Sequence, residues 1–577
     1  MCIRDSLKSI LKPLKGLEAV FEYTFDKNIY DYHWYTGQYD YTTIQGGSSK
    51  SFVDDYLRKY KQHTNYNSIN VYATYNKDFG NHHFKVMAGF NQESSYQETL
   101  DTYSYNQAVL DVPAMSSGTG TIKATDSYSE YAIRGGFFRV NYNYLDKYLL
   151  EVNGRYDGSS KFPKSSRFGF FPSVSAGWQI AQERFMNSTR HWLDGLKLRA
   201  SYGVIGNQNI NPYTFTPSMS VNNKATSWII DDTYVTSISS LPALVSQNFT
   251  WEKVGTINVG LDVNLFNNRL SGVFEWYQRN TNGMLAPGVQ LPAVVGASAP
   301  YQNTADMRTR GWELSLNWRD QIGKVGYRIG FNLSDYKSEI IKYDDNAATK
   351  LLSSYYPGQT LGEIWGYVVD GYYTVDDFVD TSSWQLKEGV TSINGYNVRP
   401  GDVKFKNLRD DDTSTNVITS GDNTFDNPGD RKVIGNTTPR YQYGINLGMN
   451  YAGFDLNVIL QGTGKRDYWI SNVLTFPMNG DNFVPLFEGL SDYWMPKDPD
   501  NGDWSAVNPN AKYPRIYGNR GNSGSNLRQS DKYLSDASYL RIKNITLSYK
   551  LPKKWVNQIF LNQMKAFVSI ENVATFT

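Results

Sequence analysis

Apolar and polar residues alternate with period two in segment after segment of this chain, the pattern of strands with one greasy and one wet face. Ile257, Val259, Leu261, Val263 and Leu265 interleave with Asn258, Gly260, Asp262 and Asn264, and Trp312, Leu314, Leu316 and Trp318 with Glu313, Ser315, Asn317 and Arg319. The series Tyr441, Tyr443, Ile445, Leu447, Met449 and Tyr451 repeats it against Gln442, Gly444, Asn446, Gly448 and Asn450. This alternation predicts about fifteen strands, near 17–26, 68–76, 83–92, 133–144, 148–157, 168–180, 195–204, 254–265, 269–279, 310–319, 326–336, 439–450, 454–462, 538–550 and 564–573. Many run about nine to thirteen residues, close to the roughly 9–11 that a tilted strand needs to cross a bilayer.

The connections sharpen this reading. Short turns such as Asp78-Phe79-Gly80-Asn81, Leu145-Asp146-Lys147, Asn267-Asn268 and Ala452-Gly453 alternate with long polar segments at 27–67, 93–132, 205–253, 280–309, 337–438 and 463–537. A transmembrane barrel has this asymmetry, with tight turns on the periplasmic side and long extracellular loops. The fold class expected is all-β: an antiparallel transmembrane β-barrel, here incomplete, without a plug domain.

Composition agrees. Aromatics make up 15% of the 577 residues, with 44 Tyr and 14 Trp, while the mean hydropathy is −0.52. A lipid-facing and lumen-facing alternation gives that polar average, and interfacial girdles account for the rings; Trp178, Trp276, Trp312 and Trp318 read as girdle residues. No apolar run approaches the roughly 20 residues of a spanning helix. Net charge is +1, so no global field points to nucleic acid. The segment Met1 to Ser6, with the single Cys2, is unlike the rest of the chain and reads as an artefactual start, leaving 7–577 as one barrel domain.

Candidate chemistry is sparse. There is no nucleophile elbow, HExxH, P-loop or CxxC pattern, so no catalytic residue is assigned and the chain does not read as an enzyme. Of the five histidines, His82 and His83 sit in a tight turn and as strand neighbours point to opposite faces. Loop aromatics are more suggestive. Trp365, Tyr367, Trp469, Tyr493 and Trp494, with Tyr372, Tyr373, Trp384 and Trp504, can stack on the apolar faces of sugars; the competing reading is that they pack the long loops or dock a partner protein.

Several segments resemble the SusC/RagA family of TonB-dependent outer-membrane transporters. They are Gly195 to Gly203 (GLKLRASYG), Trp251-Glu252-Lys253 with Asn258 to Asp262, Asn303 to Leu316 (NTADMRTRGWELSL) and Gly366-Tyr367 with Asp370-Gly371. The series continues in Pro400-Gly401-Asp402-Val403, Asp430-Arg431 with Ile434-Gly435-Asn436, Pro439-Arg440, Ser538 to Asn544 and Glu571-Asn572-Val573. The resemblance implies a 22-stranded barrel in the outer membrane of a Gram-negative bacterium. It implies import of an oligosaccharide or peptide beneath a SusD-like surface lipoprotein, driven by TonB-ExbB-ExbD through an N-terminal region, with outer-membrane lipid around the wall. Counting loop parity from the strand at 17–26, one strand would be missing behind and six in front. Family members place an EF-hand-like loop after Gly-Asp-Val. Here Asn407, Arg409 and Asp411 occupy the ligand positions and Asp412 stands where Gly is wanted, so Asp410, Asp411 and Asp412 are the weak candidates for Ca²⁺ and a solvated loop is favoured. The rivals are a glycan-binding adhesin, which needs a dry core between alternate faces, and a passive porin.

Overall fold

The computed structural model describes residues 2–37, 40–41, 50–51, 55–109, 111–219, 221–222, 229–230, 233–234, 238–239, 243–246, 249–289, 291–409, 416–471, 487–517 and 524–577. Sixteen strands form one antiparallel sheet in sequence order: β1 (Cys2–Leu14), β2 (Leu17–Thr36), β3 (Tyr56–Phe79), β4 (His82–Tyr105), β5 (Ile122–Tyr144), β6 (Tyr148–Ser159), β7 (Phe168–Gln179), β8 (Leu193–Asn207), β9 (Glu252–Leu265), β10 (Leu270–Pro287), β11 (Tyr301–Ile322), β12 (Val325–Tyr343), β13 (Arg440–Tyr451), β14 (Phe454–Lys465), β15 (Tyr539–Lys550) and β16 (Lys565–Phe576). The order does not return from β16 to β1, so these are the edge strands. Tight turns and longer connections alternate along most of the sheet; the exceptions are 160–167, a modest connection where a long one is due, and 180–192 and 551–564, which stand in place of tight turns. In the two-residue turn between β13 and β14 both residues are left-handed, Ala452 and Gly453 having φ of 48° and 90°, the geometry whose twist matches the flanking strands.

The chain divides into two compact units, one comprising Met1–Gln179, Arg199–Ile257 and Thr281–Asn303, the other Ile180–Leu198, Asn258–Asn280 and Thr304–Thr577. In the first, the register aligns apolar residues strand after strand. Phe21 faces Val71, Val71 faces Phe90, Val86 faces Val140, and Val140 faces Val152, which faces Val174. In the second, Leu316 faces Phe331, Phe331 faces Ile445, Ile445 faces Leu460, and Leu447 faces Val458, which faces Ile545. Because successive side chains alternate faces, each alignment is a continuous greasy belt. The opposite face carries Asn317, Asn332, Asn446 and Asn457 in one unit and Asn70, Asn91, Asn141 and Glu151 in the other. Exposed belt residues such as Val71, Leu447 and Ile570 are what a lipid-facing wall requires. Rings gather where the short turns begin. Phe84 packs against Tyr142 at 4.8 Å in the first unit, and Phe454 against Tyr549 at 4.5 Å in the second. Amphipathic rings favour such an interfacial level.

One strand is added to those predicted and one expectation is corrected. Strand β1 lies ahead of the first predicted strand. Its wet face is tied to β2 by Arg4–Asp26 at 2.9 Å, Lys8–Glu22 at 2.6 Å and Lys12–Glu18 at 3.3 Å. Asp5, Ser9 and Pro13 interrupt the apolar series Ile3, Leu7, Leu11, which hides the strand in the pattern and removes the starting point of the parity count. The segments 27–67 and 93–132, read as loops, are largely strand: β2 runs on to Thr36, β3 starts at Tyr56, β4 ends at Tyr105 and β5 starts at Ile122. Outside lipid neither face needs apolar residues, so a ladder held by backbone hydrogen bonds and cross-strand Tyr, Thr and Gln leaves no alternation to read. From Tyr56 to Asn67, β3 continues for roughly 40 Å beyond the belt, at about 3.3 Å per residue.

Candidate functional site

The wet faces are built as ion-paired surfaces. In the first unit Arg155 holds Asp157 through two bonds of 3.0 and 2.9 Å, and Asn153 donates to Glu151 at 2.7 Å. These residues, with Arg139 and Ser173, line a recess of about 540 Å³. In the second unit Arg328 reaches Asp455 at 3.2 Å and Asn457 at 3.3 Å. Charges compensated within a strand and between strands leave a face that wets and offers hydrogen bonds without a dominant sign.

Residues 344–439 and 466–538, the two longest connections, fold into packed structure of their own. Glu363–Tyr367 pairs with Arg431–Asn436, Val369–Tyr372 with Val403–Phe405, and Asp467–Trp469 with Leu534–Asp536. One apolar core comprises Tyr367, Tyr373, Phe378, Ile393, Val398, Val403, Phe405 and Ile418; a second comprises Leu490, Tyr513 and Tyr533. Such loops are stable because aromatics supply a large buried area where strands are short.

The aromatic candidates belong to these cores. Tyr367 is buried against Phe405 at 5.2 Å, under the Arg528 guanidinium at 5.4 Å. Trp494 is 3% exposed. Trp365 is half-buried, its indole N–H donating to Glu363 at 3.0 Å, and Glu363 also takes the Tyr356 hydroxyl. Trp469 and Tyr493 pack on the second core and remain half-buried. The five rings are therefore not gathered on one open face. Tyr367 and Trp494 shape the loops, whereas Trp365, Trp469 and Tyr493 keep part of their surface free.

The Gly401-Asp402-Val403 motif is the keystone of this region. Asp402 is 1% exposed. Its carboxylate accepts from Asn526 Nδ2 at 2.9 Å, the Tyr517 hydroxyl at 2.7 Å and the Arg399 backbone N–H at 2.8 Å. Asn526 in turn accepts from the Val403 N–H at 2.8 Å. Burial pushes the Asp402 carboxyl up from its ordinary range while these donors pull it down, and burial is the larger effect. Asp430 is equally buried and accepts from the backbone N–H groups of Leu408 and Thr419, at 2.9 and 2.8 Å. These two carboxylates thus organise loop backbone. Asp410, Asp411 and Asp412 lie outside the described residues; among the described residues no group of three or more His, Cys, Asp or Glu is placed to hold a metal. His82 and His83 turn to separate partners, Tyr142 and Asp78.

Asp402→Asn tests the keystone. Whichever way the amide turns, an NH₂ replaces an acceptor, facing either the Asn526 amide or the Arg399 N–H. The expected cost is about 1–3 kcal/mol, read as faster tryptic cleavage within 344–439 and 466–538 while the heat-modifiable gel mobility of the barrel is unchanged.

Sequence reasoning missed a second aromatic group. Tyr30, Tyr32 and Trp34 stand beside Tyr56, Arg58 and Tyr60 on the wet faces of β2 and β3 beyond the belt. Their i, i+2 spacing was legible, but without greasy alternation it did not mark a strand.

Comparison with known proteins fits this architecture. Residues 14–573 match the family described as TonB dependent receptor-like, beta-barrel. TonB-dependent receptor P3 of Formosa agariphila is 28% identical over 561 residues, covering 94% of this chain and 50% of that protein. TonB-dependent receptor SusC of Bacteroides thetaiotaomicron is 27% identical over 509 residues, covering 85% of this chain and 45% of that protein. The chain therefore spans about half the length of the curated relatives it matches. Among solved structures, the RagAB peptide importer in its closed-closed state superposes with a TM-score of 0.79 at 21% identity, over 100% of this chain and 58% of that one. The chain belongs to the TonB-dependent receptor-like β-barrel family, outer-membrane proteins of Gram-negative bacteria, as its SusC/RagA-like motifs imply.

Proposed function

We propose that this chain forms the barrel wall and outer loops of a TonB-dependent importer that takes up an oligosaccharide, with a peptide as the alternative cargo. The observation that carries this reading is the pairing of a greasy face with an ion-paired, hydrogen-bonding face on the same strands, whose two longest connections fold into packed structure of their own. A solute too polar for lipid is captured by the loops and passes along the wet wall. The partly open rings Trp365, Trp469 and Tyr493 meet cargo, while Tyr367 and Trp494 fix the loops that present them. A SusD-like lipoprotein covers the extracellular side, and TonB acts through the region in front of the barrel. A porin would share the two-faced wall without needing energised inner-membrane partners.

Deletion of the full-length gene is expected to abolish growth on one class of oligosaccharide and uptake of the labelled glycan, and loss of TonB is expected to do the same. Unimpaired glycan and peptide uptake in the deletion strain would overturn the reading, and uptake that persists without TonB would favour the porin.

A further inference from the structure

Beyond the belt the wet faces of β2, β3 and β4 become an aromatic surface. The register sets Tyr32 opposite Tyr60 and Tyr60 opposite Asp101, and Trp34 opposite Arg58 and Arg58 opposite Tyr103. The Tyr32 and Tyr60 rings stack at 5.1 Å, with Tyr30 edge-on to Tyr32 at 5.4 Å. The Arg58 guanidinium lies 5.5, 5.6 and 5.3 Å from the ring centres of Tyr32, Tyr60 and Tyr103, and Asp101 grips it through two bonds of 2.9 and 2.8 Å.

The interior of this cluster has a structural explanation. Cross-strand ring pairs at about 0.2–1 kcal/mol each and cation–π contacts at about 0.5–1 kcal/mol hold a ribbon that has water on both sides. That explanation does not extend to the rim. Tyr30 and Trp34 are 56% and 60% exposed, so little of their area supports the ribbon. Trp34 is nevertheless fixed in place, because its indole N–H donates to Thr36 Oγ1 at 2.9 Å. A large exposed ring with its polar handle already occupied is a pre-organised stacking surface.

We propose that this surface binds a neutral oligosaccharide, with Trp34 and Tyr30 stacking on the apolar faces of sugar rings and the Tyr hydroxyls at the rim meeting sugar hydroxyls. Neutrality follows from Arg58, the cation paired opposite Trp34, which Asp101 compensates, so the charge beside the two stacking rings is neutralised; Lys123 lies further off, over the Tyr105 ring. The surface continues the wet face of the wall, so a chain bound on it is already aligned with that face. This inference rests on the oligosaccharide reading above and gives it a site.

The test is calorimetric titration of the complete chain, folded in detergent, with maltoheptaose, laminarihexaose and cellohexaose as neutral probes, a heparin hexasaccharide as a charged probe and pentaglycine as a peptide probe. At least one neutral glycan is expected to bind saturably. Trp34→Ala with Tyr30→Ala is expected to weaken it tenfold or more with unchanged gel mobility, and Trp34→Phe to retain part of the affinity. Absence of binding by all three neutral glycans overturns the proposal, as does binding indifferent to the alanine variants or a preference for the charged glycan or the peptide. The same alanine pair in the full-length protein separates the two readings. If glycan uptake needs the gene but not these rings, the platform falls and the importer stands.

Discussion

Leu447→Arg is expected to prevent the barrel from inserting, while Asn446→Arg, one residue away on the same strand, is expected to be tolerated. Leu447 on β13 lies between Ile329 of β12 and Val458 of β14 and is 39% exposed on the greasy face. A charge there must sit in hydrocarbon, at a cost of roughly 2–4 kcal/mol near the bilayer midplane, and the substitution also removes the apolar packing of Leu447 on its neighbours. Against a net stability of about 5–15 kcal/mol for a typical fold, that is a large fraction. Asn446 points to the opposite face, beside Gly330, where a guanidinium stays in water among other polar groups. Folding into short-chain phosphatidylcholine vesicles, read by the heat-modifiable shift on a gel, checks both. Equal loss in the two variants would mean that the faces are not lipid and water, and the barrel reading would fail with them.

The same asymmetry explains what was legible in the sequence. Lipid forces strict alternation, so β9, β11 and β13 stand out from their residues alone, and the turn at Ala452-Gly453 bounds β13 to within a residue. Water forces nothing of the kind. The outer half of β3, with Lys59, Lys61, His63 and Asn65 on one face and Tyr60, Gln62 and Thr64 on the other, is polar throughout and reads as loop. Its strand is held by partners more than 20 residues away, which periodicity does not record. Strand β1 was missed for a related reason: its ion pairs to Glu18, Glu22 and Asp26 lie across the hairpin, and its own residues look irregular.

The candidate site divides in the same way. That Trp365, Tyr367, Trp469, Tyr493 and Trp494 sit in long connections was readable, but which rings are buried depends on how 344–439 folds together with 466–538. Asp402 shows the limit most clearly. In the sequence it is one residue of a family-like Pro-Gly-Asp-Val motif, but its partners Tyr517 and Asn526 are more than 110 residues further along the chain, and its role is to fix backbone.

Gly401→Ala should unfold that joint more severely than any change to the carboxylate. Gly401 has φ of +90°, and a Cβ built there would lie 2.3 Å from Trp494 Cε3, 2.5 Å from Cδ2 and 3.0 Å from Arg515 Cβ. Left-handed backbone costs an L-residue about 1–2 kcal/mol, and overpacking a filled site adds about 1–3 kcal/mol. Relief by movement is restricted. Trp494 is buried, Gly401 donates its N–H to the Tyr373 carbonyl at 2.8 Å, and its own carbonyl accepts from Arg515 at 2.9 Å. Displacing Gly401 would therefore pull on Tyr373, at the centre of the first loop core, and on Arg515, which lies over Trp504 at 4.9 Å. A combined cost of about 2–5 kcal/mol corresponds to an increase of roughly 30-fold or more in local opening, measurable as the rate of tryptic cleavage in the loops under native conditions. The barrel's gel mobility should not change, because no strand of the main sheet contributes to the joint. Trp494→Leu added to Gly401→Ala should recover part of the loss by removing the ring while leaving the strained backbone. If the double variant opens as fast as Gly401→Ala alone, the clash is not the cause and the keystone assignment is wrong.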